Sequence, residues 1–206
     1  MLKLENLSKK FGDFIAVNNL TFEVKKRQIF GLLGENGAGK TTTLRMLATM
    51  LKPTEGTAKV SGFDIKNEPE KVRASIGILF GGEAGLYDRL TSAENISYFG
   101  ELNDMDKNSI KERIEYLTKV FGMEEYINKR TSKLSKGMKQ KVAFARAIVH
   151  NPDVMLFNEP TSGLDVGAIH KGSLVDIGTI DKLKEKYNNN NLEEIFVKLT
   201  NNNSRR

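Results

Sequence analysis

Residues 34 to 41 read Gly-Glu-Asn-Gly-Ala-Gly-Lys-Thr, a spacing suited to holding a chain of phosphates. Glycine at Gly34, Gly37 and Gly39 lets the backbone curl until successive N–H groups point inward at phosphate oxygens. Lys40 supplies a point charge for β- and γ-phosphates, and the Thr41 hydroxyl can ligate Mg²⁺. Glu35, Asn36 and Ala38 complete the loop. Thr42 follows in a helix whose N-terminal dipole favours an anion. The chemistry this supports is the binding of a phosphate chain with Mg²⁺.

Two further segments carry polar groups at useful places. Val154-Met-Leu-Phe-Asn-Glu159 reads as four apolar residues that bury a strand, with Asn158 and Glu159 projecting from its carboxyl end, where open α/β sheets bind ligands. Glu159 is placed to orient an attacking water as general base. Taken alone, the same pattern would mean only a buried strand ending in a surface glutamate. Leu134-Ser-Lys-Gly-Met138 opens a helix, so Ser135 with the N–H groups of Gly137 and Met138 makes a second anion site.

The elements that must position these groups can be read from periodicity. Leu2–Leu7 and Leu20–Val24 alternate as strands, and the apolar run Gln28–Leu33 feeds the glycine loop as a buried strand. Thr42–Met50 is helix-like, Pro53–Gly56 a turn and Thr57–Val60 a short strand. Ile110, Ile114, Leu117 and Phe121 recur at helical spacing up to a stop at Gly122. Lys139–Val149 is a second amphipathic helix, closed by Asn151-Pro152. Asn188–Asn191 reads as a loop, Leu192–Leu199 as a short helix and Asn201–Arg206 as a frayed end.

Composition narrows the classes. At 206 residues, 39% hydrophobic and 28% charged, the chain suits one globular domain. It contains no apolar run near the ~20 residues that cross a bilayer, and Met1 opens no signal-peptide pattern. A cytoplasmic chain that reaches a membrane only by docking is expected. Cysteine is absent and His150 and His170 are the only histidines, which excludes thiolate and histidine-cluster metal chemistry. The net charge of +6 is spread among acids, so a solvated surface is expected and no nucleic-acid partner.

Together and in this order, the segments resemble the ATP-binding domains of ABC transporters from residue 1 to about residue 166. Leu134–Met138 is similar to their signature motif, and Ser162–Asp165 to the loop that crosses to a partner subunit. Phe11 resembles the aromatic that stacks on adenine. Gly31–Arg45 and Leu86–Thr91 resemble the sodium-extruding, NatA-type subfamily. The resemblance implies an α/β P-loop NTPase with a mostly parallel central sheet, an N-terminal antiparallel β part and a helical signature subdomain at about 84–150. It implies a domain at 1–187 with a tail at 188–206. It also implies a head-to-tail dimer, each signature loop covering the other subunit's γ-phosphate, that drives an integral-membrane permease from the cytoplasmic face.

Three departures bear on activity. Asn158 stands where the family has an aspartate that supports Mg²⁺; an amide oxygen brings no charge, so weaker Mg²⁺ holding is expected. Phe80-Gly-Gly-Glu83 stands where a glutamine normally contacts Mg²⁺ and the transporter, leaving Glu83 as its substitute or the loop as a coupler only. After Asp165-Val-Gly the chain passes directly to Ile169–Leu183, which resembles the segment after the family's switch histidine. Roughly 30 to 40 residues, about one βα unit, are missing. His170 is therefore not that histidine, and the sheet is expected to be incomplete between its phosphate-loop and acidic strands. Two functions stay open: a transport ATPase, or a nucleotide-binding but hydrolysis-deficient subunit, degenerate or truncated.

Overall fold

The computed structural model describes residues 1–26, 28, 30–34, 36–80, 85–158, 165–170 and 173–179, with backbone alone at 33, 80, 158, 165–170 and 173–179. Its strands are β1 (Leu2–Phe11), β2 (Phe14–Val24), β3 (Phe30–Leu33), β4 (Glu55–Val60), β5 (Phe63–Asp64), β6 (Ile76–Phe80), β7 (Val154–Asn158), β8 (Asp165–His170) and β9 (Ser173–Thr179). Its helices are α1 (Lys40–Leu47), α2 (Pro69–Ser75), α3 (Ser92–Leu102), α4 (Lys107–Phe121) and α5 (Lys136–Ile148). The chain divides into two compact units. One is built on Met1–Val72 with the described residues beyond Glu159, and the other is Arg73–Asn158.

In the first unit β1 forms a long antiparallel hairpin with β2, from Leu2↔Val24 to Phe11↔Phe14, and pairs on its other side with β4. Alternation drives this: Leu4, Leu20 and Val60 are fully buried between outward or half-buried neighbours, and Asn6, at φ 52°, shifts the register so that Leu7 and Ser8 are both buried. The hairpin is longer than Leu2–Leu7 and Leu20–Val24 predict: β2 runs on from Phe14 through the polar pair Asn18-Asn19, with Asn19 at φ 49°. A second sheet has the order β3-β8-β9, with β3 parallel to β8 and β8 antiparallel to β9. Phe22 of β2 stacks on Phe30 of β3 at 4.7 Å, joining the two sheets.

The second unit sets the parallel pair β6–β7 beside α3, α4 and α5. Its core gathers Ile96, Leu117, Met123, Tyr126, Leu134, Val142, Ala145 and Val149. Thr91 caps α3 in a reciprocal box with Glu94, and Asp106 caps α4, which ends at Gly122 as its spacing predicts.

Among the described residues, β3 has β8 as its one strand partner and β7 has β6. This matches the expected incomplete sheet. It also corrects the expectation that both apolar runs are buried. Of Val154–Phe157 only Leu156 is buried, and Phe157 is 39% exposed beside the Phe144 ring. Phe30 and Leu32 of β3 are half-buried. Apolar patterning marks a strand's intended faces, but burial also needs elements packed over those faces. The segments predicted at 188–191, 192–199 and 201–206 lie outside the described residues.

Candidate functional site

The phosphate loop stands between β3 and α1. Gly37 and Gly39 have φ of +84° and +89°, which gives the curl predicted for them. Gly39 is the N-cap of α1 and offers no side chain to its first turn. A β-carbon at Gly39 would collide with the Ala16 carbonyl and lie 3.1 Å from Val17 Cγ2. The loop's end is therefore seated on β2. Lys40 donates from Nζ to the Gly34 carbonyl at the loop's start, and burial lowers its pKa. Ala38 and Gly39 are buried, Thr42 is half-buried, and Asn36, Gly37 and Thr41 are exposed. Glu35 lies outside the described residues.

The same β-hairpin that seats the loop carries Phe11 at its tip, 49% exposed, with the Lys9 ammonium 5.1 Å above its ring. Phe14, its cross-strand neighbour, is 62% exposed. One hairpin thus supports an open aromatic face and a glycine-lined cradle.

In the second unit Ser135 is the N-cap of α5, and its hydroxyl accepts the Met138 N–H at 3.3 Å. Leu134 is buried in the core and anchors the motif, while Ser135 and Gly137 face outward and Met138 is half-buried. No acidic residue occupies the first turn, and a side chain at Gly137 would meet open space. The geometry is that of a helix end open to an anion, with one of its amides already used by the cap.

The backbone of Asn158 ends β7; Glu159, Glu83 and Ser162–Leu164 lie outside the described residues. His170 pairs with Ser173 at the end of the antiparallel β8–β9 ladder. Among the described residues no three His, Asp or Glu come together as a metal site. The donors present suit a Mg²⁺ held chiefly by substrate phosphates, with the Thr41 hydroxyl beside it. Sequence reasoning missed Asn95 and Arg146, which hold the turn after β6. Both are buried polar residues, and only the inward side of an otherwise apolar helix face hints at Arg146.

A parallel strand entering a glycine loop that opens a helix is the arrangement of a P-loop NTPase. A family model described as ABC transporter matches residues 17–162, and the chain belongs to that family, among its ATP-binding subunits. The ABC transporter ATP-binding protein NatA of Bacillus subtilis (strain 168) is 51% identical over 170 residues, which cover 81% of this chain and 69% of NatA. The probable multidrug ABC transporter ATP-binding protein YbhF of Escherichia coli (strain K12) is 31% identical over 240 positions, covering 97% of this chain and 41% of YbhF. That alignment exceeds the chain's 206 residues by 34, so at least that many of its positions fall where this chain has no residue. A solved ATP-binding subunit of an ABC transporter shares the fold with a TM-score of 0.83 at 23% identity, covering 97% of this chain and 99% of its own.

Proposed function

We propose that the chain binds Mg-ATP at Gly34–Thr42, with Phe11 against adenine, and pairs head to tail so that Ser135, Gly137 and Met138 reach the γ-phosphate on the other subunit. Glu159 orients the attacking water, and Thr41 with Asn158 supports Mg²⁺. Residues 1–187 act as one ATP-binding domain, with a helical subdomain at 84–150 and a tail at 188–206. The cycle drives a separate membrane permease from the cytoplasmic face; among the described residues no helix is long and apolar enough to cross a membrane. Sodium export is the transport reading, supported by the resemblance of Gly31–Arg45 and Leu86–Thr91 to the NatA type.

The observation that carries nucleotide binding is the left-handed backbone at Gly37 and Gly39 opening directly into α1. Thermal melting with and without Mg-ATP tests it, with Lys40→Ala as control. Ligand at about a hundred times its Kd adds ~2.7 kcal/mol. A melt that ATP raises and Lys40→Ala makes indifferent supports the site; a melt indifferent to ATP in the unsubstituted chain sinks it.

A second reading is a subunit that binds nucleotide without hydrolysing it. Asn158 favours it, as do the 34 or more alignment positions with no residue here, in a chain without the family's switch histidine. Single-turnover hydrolysis measured on nucleotide-saturated chain separates the two.

A further inference from the structure

The turn from Gly85 to Leu90, which follows β6, is gripped by the segment that carries Ser135. Thr131 donates its hydroxyl to the Tyr87 carbonyl at 2.9 Å and its N–H to the Leu90 carbonyl at 3.0 Å. The Ser132 N–H donates to the Asp88 carbonyl at 3.3 Å, and Lys139 of α5 lies 3.6 Å from the Asp88 carboxylate. From the other side Asn95 accepts the Tyr87 N–H at 2.8 Å. Farther along α5, Arg146 donates to the Gly85 carbonyl.

Arg146 is the unusual member of this set. It is 6% exposed, and its guanidinium lies 4.3 Å over the Phe99 ring. Cations are seldom buried without a specific partner, and an aliphatic side chain of similar volume would often fill such a place at no loss of stability. A guanidinium does what an aliphatic chain cannot: its flat face packs on a ring while its edge donates to a carbonyl. The turn is shaped to receive it. Gly85 adopts φ +90°, and a β-carbon there would stand 3.0 Å from Arg146 Nη1.

Ser135 and Arg146 lie at opposite ends of one uninterrupted helix of 13 residues, about 16 Å apart along its axis. A helix of three to four turns is stiff along its axis, and its C-terminal part holds the Gly85 carbonyl through Arg146. We propose that Arg146 is a positioning residue that clamps the 85–90 turn to α5, so that a nucleotide phosphate engaging Ser135–Met138 moves this turn and the exposed Tyr87 on it. This rests on the nucleotide reading above, because the load is a phosphate at Ser135.

The chain has no cysteine, so Arg89→Cys gives a single attachment point for an environment-sensitive dye on the turn. The labelled full chain is titrated with Mg-ATP while light scattering follows pairing in the same samples. The expected result is a dye response that tracks pairing. It is largely lost in Arg146→Met at unchanged pairing and largely restored in Arg146→Lys, which keeps a donor for the carbonyl. Gly85→Ala leaves α5 unaltered and disturbs the clamp from the turn side; it should lose the response too, and it decides the matter if Arg146→Met fails to fold. A full response in Arg146→Met or Gly85→Ala, or a silent dye while the unsubstituted chains pair, overturns the clamp. Unsubstituted chains that show neither an ATP-raised melt nor ATP-driven pairing overturn the nucleotide reading, and the clamp falls with it.

Discussion

Gly39 meets Ala16 backbone against backbone: the last glycine of the phosphate loop presses on the carbonyl of β2 with no room for a β-carbon. At φ +89° the position is also one that side-chain-bearing residues rarely adopt. Gly39→Ala is therefore expected to cost about 1–3 kcal/mol of stability through the strained backbone alone. It should also remove the melting shift produced by Mg-ATP, because the loop loses its seat. Scanning fluorimetry with and without Mg-ATP reads both effects, and a variant that still shifts as fully as the original would show that the seat is dispensable.

Ser135 separates two roles at the start of α5. Ser135→Ala removes the cap on the Met138 N–H and should cost about 1 kcal/mol in urea unfolding. Ser135→Asp keeps an oxygen for the cap and adds a negative charge that suits a helix N-terminus, so stability should hold or rise. That charge would repel a phosphate. ATP-driven pairing, followed by light scattering, should be lost in Ser135→Asp despite its intact stability; pairing at the original ATP concentration would argue against a phosphate at this loop.

His150 makes stability depend on pH. Burial lowers its pKa, Arg113 nearby lowers it further, and the contact of Nε2 with the Ile76 carbonyl at 2.9 Å opposes them. With the folded pKa below the unfolded value of 6.5, the unfolded chain binds the extra proton first as pH falls. The contribution is thus fully present above about pH 6.5 and is lost as pH falls from there through the folded pKa. Melting temperatures taken between pH 5 and pH 7.5 should fall more steeply for the original chain than for His150→Gln, whose amide N–H can still donate to Ile76. Parallel curves would mean the proton is bound elsewhere.

Asn158, the last residue of β7, brings no negative charge of its own. Asn158→Asp should tighten the Mg²⁺ requirement for nucleotide binding and raise any ATPase rate, since a carboxylate supports the metal's water shell where an amide does not. Steady-state phosphate release measured against Mg²⁺ concentration checks this. Equal rates and equal Mg²⁺ midpoints for the two chains would show that the amide at Asn158 does not limit Mg²⁺ support.

Local chemistry made much of this legible. The curl at Gly37 and Gly39 follows from residue type, since the conformation favours glycine. The stop at Gly122 and the opening of α5 after Leu134 follow from position in a helix, whereas the Ser135 cap on the Met138 N–H appears only in the structure. The start of α3 was equally available as Thr91-Ser-Ala-Glu94, a reciprocal cap, but its weak apolar period drew no prediction. What periodicity could not supply was the neighbourhood of each strand. Phe157 and Leu156 are alike in pattern, yet only Leu156 is buried, because burial is decided by what lies across the sheet. Arg146 was hidden for a related reason. Its charge is visible in the sequence, but the fact that it points inward to the Gly85 carbonyl belongs to the packing of α3 against α5.

The pairing of Phe30 with Asp165 has a consequence for synthesis. The ribosome delivers β3 long before β8, and at about 5–20 residues per second the wait is on the order of ten seconds. The whole unit from Arg73 to Asn158, whose strands and helices pair among themselves, emerges during that interval. The helical unit can thus mature first while the strand that feeds the phosphate loop stands by as an unclaimed edge, open to trigger-factor-like holders or to the β3 of a neighbouring nascent chain. Codon pace between these two strands then becomes a lever on how long that edge stays unpaired.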